Sequence, residues 1–191
     1  MPRHRFTDTK ERIGRAAIGL FVKKGVAETT VRDIAQAVDI SEGALYRHFA
    51  GKEELVWELF ERHYLAFAGR LQALADSEPT ARGKLGAMIR GFCQAHDDDP
   101  TLFHFLLFVQ HGQLSKLATD TPTPVTVMHT VLSAAMAGGE IPRQDANLAS
   151  ALAMGIVLQP MTFAAYGRLP QAQAPNAERL IAAAWAAVTT V

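Results

Sequence analysis

The sequence predicts an all-α protein of about nine helices, in which an N-terminal three-helix domain containing a helix-turn-helix precedes a C-terminal helical bundle. Three observations carry this. Apolar residues recur at three- and four-residue spacing along most of the chain. Strand signals are nearly absent, with little period-2 alternation and no Asn-Gly or Asp-Gly hairpin turn. Ser, Thr, Asp and Gly punctuate the periodic stretches where helices would start and stop. The 191 residues are 49% hydrophobic and 20% charged, with mean hydropathy +0.05, which excludes global disorder. No run approaches the roughly 18 uninterrupted apolar residues of a membrane span, and Met1-Pro2-Arg3-His4-Arg5 leads into charged sequence. A soluble, cytoplasmic protein is expected. The lone Cys93 excludes an internal disulfide and a Cys-rich zinc site.

The elements follow in order. Ile13, Ala16, Ala17, Leu20 and Phe21 form one stripe, so a first helix is expected from about Asp8 to Lys24, with Asp8 and Glu11 as a capping box and Gly25 as the terminator. Thr30 caps a two-turn helix with Asp33 at N3 and Val31, Ile34, Ala35 and Val38 inward. Ser41 caps a third, from Glu42 to about Phe49, with Leu45 and Phe49 inward. Gly51 precedes a long helix from Lys52 to about Ala75, with Glu53 and Glu54 in its first turn where the macrodipole favours them. Next come a segment with Leu85, Met88, Ile89, Phe92, Cys93 and His96 on one face, and a loop at Asp97-Asp98-Asp99-Pro100. The helix from Leu102 to about Gln113 is apolar nearly all round and is expected to be buried. Helices from Pro124 to Ala137 and from Gln144 to Gln159 follow, the second interrupted or kinked by Pro160 before Met161 to Leu169. Asn176 caps the last, through Val188. The expected division is residues 1–51 as the helix-turn-helix domain, 52–75 as a connecting helix and 76–191 as the C-terminal domain.

Net charge is zero, which argues against bulk electrostatic binding of nucleic acid, but the average hides a division. Residues 1–52 hold ten lysines and arginines against six acids, and the remainder holds nine against thirteen. Such asymmetry points to a nucleic-acid-facing segment. A helix-turn-helix places its second helix in the major groove, with N-terminal side chains on base edges and flanking groups on phosphate. With Leu45 and Phe49 inward, Glu42, Gly43, Ala44, Tyr46 and Arg47 point outward, and Gly43 and Ala44 permit close approach. Thr30, Arg32, Ser41, His48 and Lys52 lie at helix ends or nearby outward positions suited to backbone contacts. For Arg32 the alternative is pairing with Asp33 or Asp39, and for His48 a structural role.

The run Thr30 to Leu55, and within it Gly43-Ala44-Leu45-Tyr46-x-His48-Phe49-x-x-Lys52-Glu53-x-Leu55, resembles the DNA-binding domain of the TetR family of transcriptional regulators. The resemblance covers roughly residues 8–60, about a quarter of the chain. It implies a homodimer that binds a near-palindromic operator, usually as a repressor, and releases it when a small molecule enters the C-terminal domain. By position, Thr30 and Arg32 would contact phosphate or a flanking base, Glu42, Gly43 and Ala44 base edges, Tyr46 and His48 phosphate or base, and Lys52 a phosphate. Ala50-Gly51 departs from the pattern where many members carry Lys or Ser, removing a phosphate ligand and an N-cap hydroxyl. Glu42 must accept from a cytosine amino group or turn away from phosphate.

In the C-terminal part His96, His104, His111 and His129 lack partners at i, i+3 or i+4 spacing for a bundle metal site, so no metal or other cofactor is expected. Asp97-Asp98-Asp99 reads as a solvated turn. Large or adaptable apolar groups with sparse polar ones suit a cavity for a hydrophobic or aromatic effector, nominated at Phe92, His96, Phe103, Phe108, His111, Met128, His129, Gln159 and Phe163. Leu148, Leu152, Gly155 and Ile156, with Leu180, Ala184 and Ala187 on the last helix, offer small apolar faces for a dimer. In the family the last two long helices form a dimeric four-helix bundle, and two-fold symmetry would set the recognition helices roughly 34 Å apart. An activator is the alternative within this class. A helical carrier or enzyme is the alternative from another, but no nucleophile with a base, carboxylate pair or ligated metal is apparent, and the protein is not expected to be an enzyme.

Overall fold

The computed structural model describes residues 3–190 as nine α-helices and two single 3-10 turns, with no strand among the described residues. The first four helices are α1 (Arg3–Lys24), α2 (Val31–Ala37), α3 (Glu42–Tyr46) and α4 (Lys52–Asp76). The remaining five are α5 (Ala81–Asp98), α6 (Pro100–Gln113), α7 (Pro124–Ala137), α8 (Ala146–Ala165) and α9 (Ala177–Thr189). The all-α expectation and its number of helices are met. By packing the chain divides into two units, Met1–His63 with Thr101–Leu117, and Tyr64–Pro100 with Ala118–Val191.

In the first unit Ile13, Ala17 and Phe21 of α1, Ile34 of α2, Leu45 of α3 and Leu55 and Leu59 of α4 are all buried. Phe105 of α6, 1% exposed, stacks on Phe21 with ring centroids 6.0 Å apart. Polar contacts hold the same elements at the rim. Arg12 Nη2 donates to the Val38 carbonyl at the end of α2 at 2.8 Å, and Lys10 pairs with Glu58 at 2.7 Å while its ammonium lies 5.0 Å from the Phe49 ring. Such part-exposed pairs contribute little individually, so the apolar contacts set the geometry.

Several boundaries differ from the sequence expectation for identifiable reasons. α1 starts at Arg3, so Asp8 lies inside the helix and not at its N-cap; the interactions of its side chain lie outside the described residues. α3 stops at Tyr46, and the amides of His48 and Phe49 both return to the Leu45 carbonyl, so Phe49 is buried from a turn instead of from the helix. α6 is buried only along Phe103 to Leu106, while Phe108 is 43% exposed, so it is not enclosed all round. α8 runs unbroken through Pro160 to Ala165, with no interruption there.

In the second unit α8 lies against α7 and α9, and α5 against α7 and α9. Asp97 is not part of a solvated turn. It sits in the last turn of α5 and accepts the amides of Gln173 and Ala174 at 2.7 and 2.8 Å, organising the approach to α9. Asn176, the expected side-chain cap, makes no such bond. Burial pushes the Asp97 carboxyl upward, but the Ala174 and Gln173 amides and His96 beside it outweigh that and hold it below its ordinary value.

α8 is long and apolar enough to cross a membrane by length and composition, with an 18-residue window of mean hydropathy 1.6. Asn147, Ser150, Gln159 and Thr162 divide it into apolar runs too short to register as an uninterrupted span. Part of its apolar surface faces outward: Leu148 is 58% and Leu152 43% exposed.

Candidate nucleic-acid interface

Three short connections build the surface around α3. Gly25, at φ +86°, ends α1 in the left-handed region that glycine enters at little cost. Thr29, fully buried, donates its hydroxyl to the Gly25 carbonyl at 2.7 Å. Thr30 then caps α2: its hydroxyl accepts the Asp33 amide at 3.1 Å, and the Asp33 carboxylate accepts the Thr30 amide at 2.9 Å. A cap of this kind stabilises a helix start by about 1 kcal/mol.

Asp33 also pairs with Lys24 at 3.0 Å. The Thr30 backbone amide first, then Lys24 and the Thr30 hydroxyl, hold its carboxyl down at about 2. Its stabilising contribution is therefore present above the ordinary 3.8 and is lost as pH falls through about 2. With Asp33 engaged in this way, Arg32 is left exposed, and among the described residues no ion pair or hydrogen bond ties it to Asp33 or Asp39. Asp39 takes φ +54° in the turn between α2 and α3, where the Ile40 amide returns to the Ala35 carbonyl at 3.0 Å.

Ser41 caps α3 by accepting the Ala44 amide at 3.1 Å. Leu45, 0% exposed, and Phe49, 2% exposed, seat the helix on the core, so its opposite side is outward. Glu42, Gly43 and Arg47 are exposed, Tyr46 is 51% exposed, and Ala44 is half-buried. A Cβ built on Gly43 meets nothing within 4 Å, so nothing within the fold requires a glycine here. Glycine inside a helix is disfavoured by about 1 kcal/mol relative to alanine.

Lys52 and His48 complete the nominated set, both half-buried. The Lys52 ammonium donates to the carbonyls of Val26 and Ala27 at 2.9 and 3.1 Å. Burial, and then the nearby charges of Arg47 and Lys10, push His48 below its ordinary 6.5. The structure thus brings all ten nominated residues onto the α2–α3 region and the start of α4, with Thr30, Ser41 and Lys52 also engaged in holding that region together.

The nominated effector residues are not gathered into one place. Phe103 is buried in the first unit, where Phe108 and His111 are exposed. In the second unit Phe92, His96 and Met128 are buried, whereas Gln159 and Phe163 are exposed. Of the nine, His129 lines a cleft of about 580 Å³ between α7 and α8, with Val125, Thr126, Asn147, Ser150, Ala151 and Met154. Asn147, Ser150, Ala151 and Met154 fall at i, i+3, i+4 and i+7, a spacing that could have marked this face from sequence. Among the described residues no three metal-ligating side chains come together. Of the nominated dimer residues, Leu148, Leu152 and Gly155 are exposed and Ile156 and Ala187 half-buried, while Leu180 and Ala184 are packed inside the subunit.

A family model described as bacterial regulatory proteins, tetR family, matches residues 13–59. The HTH-type transcriptional repressor KstR2 of Mycobacterium tuberculosis is 43% identical over 104 residues, covering 54% of this chain and 50% of that protein. The HTH-type transcriptional regulator YerO of Bacillus subtilis is 51% identical over 77 residues, covering 40% of this chain and 26% of that protein. The matches thus span half or less of these curated relatives. Among solved structures, a tetR-family regulatory protein from Rhodococcus RHA1 superposes with TM-score 0.76 at 20% identity, over 95% of this chain and 97% of that one. FadR of Bacillus subtilis, solved in complex with stearoyl-CoA, superposes with TM-score 0.74 at 19% identity, over 95% and 98%.

The His48 environment yields a pH dependence. Because the folded state holds this imidazole neutral below the pH at which the unfolded chain protonates it, stability should fall as pH drops from about 7 through 6.5. Urea unfolding at pH 7 and pH 5.5 should show a smaller acid loss in His48→Gln than in the wild type; equal losses would remove the assigned cause.

Residues 13–59 thus match the model of the tetR family of bacterial regulatory proteins, and over 95% of its length the chain shares the fold of a solved tetR-family protein.

Proposed function

We propose that this protein is a dimeric, ligand-responsive transcriptional regulator of the bacterial cytoplasm that acts as a repressor, not an enzyme. The observation that carries the reading is the outward face of α3. Glu42, Gly43 and Tyr46 stand on a helix seated by Leu45 and Phe49, with Arg47 at its C-cap, inside the stretch that matches the family model. Gly43 and Ala44 leave room for base edges, Tyr46 offers a ring and hydroxyl, and Arg47 and Arg32 supply cations for phosphate or guanine. Thr30, Ser41 and His48 border the same surface. The proposed roles follow the division 1–51 for DNA, 52–75 for connection and 76–191 for effector binding and dimerisation.

The dimer face proposed here centres on α8. Leu148, Leu152 and Gly155 are outward, and a Cβ on Gly155 meets nothing within 4 Å, leaving space for a second helix to approach closely. Ile156 and Ala187 border this face, and Leu180 and Ala184 hold α9 in place from within. A two-fold pairing presents two α3 helices to a near-palindromic duplex.

For the effector, the α7–α8 cleft favours a neutral, largely apolar molecule, since hydroxyl, amide and imidazole groups line it and no cation does. Binding would favour a state in which α4, whose residues belong to both packing units, carries the α3 helices out of register. The effector must bind that state better than the DNA-bound one.

Selection of duplexes from random sequence, followed by a screen for compounds that release them, tests the reading. A near-palindromic consensus is expected, and failure to enrich any duplex at low salt would contradict it. Placing a promoter upstream or downstream of that consensus separates repression from activation. On the selected duplex Gly43→Leu should abolish binding in a folded protein. Arg32→Ala should weaken it across sequences and reduce the log–log salt slope by about 1. Leu152→Glu should convert the dimer to monomer in sedimentation while retaining its helical circular dichroism; an unaltered dimer would place the interface elsewhere.

A further inference from the structure

The turn between α1 and α2 is tied from inside by Thr29 on the Gly25 carbonyl at 2.7 Å and along one side by the Lys24–Asp33 pair at 3.0 Å. The carbonyls of Val26 and Ala27 take no part in these ties, and neither accepts a backbone amide among the described residues. Both are met by one group. Lys52, the first residue of α4, donates from Nζ to Val26 at 2.9 Å and to Ala27 at 3.1 Å across a sequence separation of about 25 residues.

The placement is informative because the first turn of a helix disfavours a cation. Glu53 and Glu54 in the same turn, and the Glu54 carboxylate accepting the Ala50 amide, suit that end of α4; an ammonium does not. The two carbonyls offset that, and they engage two of the three protons an ammonium can donate. The half-buried side chain thus reads as an internal tie between the start of α4 and the turn that leads into Thr30 and Arg32.

We propose that Lys52 is a positioning residue, a clasp that fixes the α1–α2 turn to the first turn of α4, and not a primary phosphate ligand. The proposal rests on the regulator reading for its consequence: any displacement of the start of α4 carries the DNA-facing end of α2 with it. The clasp itself exists in the DNA-free protein and is testable there.

Hydrogen exchange of the DNA-free full chain compares wild type, Lys52→Met and Lys52→Arg over residues 25–31. Loss of the clasp in Lys52→Met should speed exchange roughly five-fold or more in that segment, and Lys52→Arg, whose guanidinium can reach both carbonyls, should restore protection. On a duplex obtained by selection, Lys52→Met should bind about ten-fold more weakly at every salt concentration with an unchanged log–log slope. Unchanged exchange in the free protein together with a slope reduced by about 1 would overturn the proposal in favour of direct phosphate contact. Should Lys52→Met fail to fold, the wild type decides. A slowly exchanging Nζ ammonium signal without DNA, assigned by its absence in Lys52→Arg, supports the clasp, and a solvent-averaged one overturns it. If no duplex can be selected, the regulator reading fails while the exchange and ammonium measurements still decide the clasp.

Discussion

The burial of Leu45 and Phe49 is the constraint on which the surface proposed to face DNA depends. α3 is five residues long, far below the length at which a helix persists by itself in water. Its position is therefore set by packing, chiefly by Leu45 at 0% and Phe49 at 2% exposure, with Ser41 closing one end and the Leu45 carbonyl receiving the amides of His48 and Phe49 at the other. Truncating such a residue typically costs about 2–5 kcal/mol. That exceeds any single polar contact at the rim, so the direction in which Tyr46 and Arg47 point is a consequence of apolar burial.

Around that anchor, the polar groups take on tasks that a contact list by itself would misassign. Asp33 caps α2 and pairs with Lys24, which leaves Arg32 outside any such pair. Thr30 and Ser41 both cap helices with their hydroxyls, so their proposed DNA contacts would share groups already holding the backbone. Burial, and then Arg47 and Lys10, push His48 below its ordinary value, which disfavours the cationic form that an anion ligand would use. The zero net charge fits this economy of free cations: binding would depend on dimerisation and fit more than on bulk attraction.

Much of this was legible in the sequence. Helical period and end signals placed α2, α4 and α7 within a residue or two, with Thr30 capping the first as expected and Pro124 opening the last. What escaped depended on tertiary partners. The helical end of α5 was hidden because Asp97 reads as a loop residue until the amides of Gln173 and Ala174 arrive from 76 residues away. The inward turn of Leu180 and Ala184 likewise follows from neighbours that periodicity does not see, whereas α8 simply runs on through Pro160. The Lys52 tie spans 26 residues to Val26 and 25 to Ala27 and carries no local signal, and the effector residues were nominated by type, with His129 reaching the α7–α8 cleft.

The central claim, that the outward face of α3 meets the bases, is tested most directly by site-specific photo-crosslinking. A benzophenone side chain at position 46, and separately at position 163 on α8, would be irradiated in complex with a selected duplex. Crosslinks to bases of the half-site from position 46, and none from position 163, are the predicted result. A protein that binds the duplex yet crosslinks only from elsewhere would contradict the account.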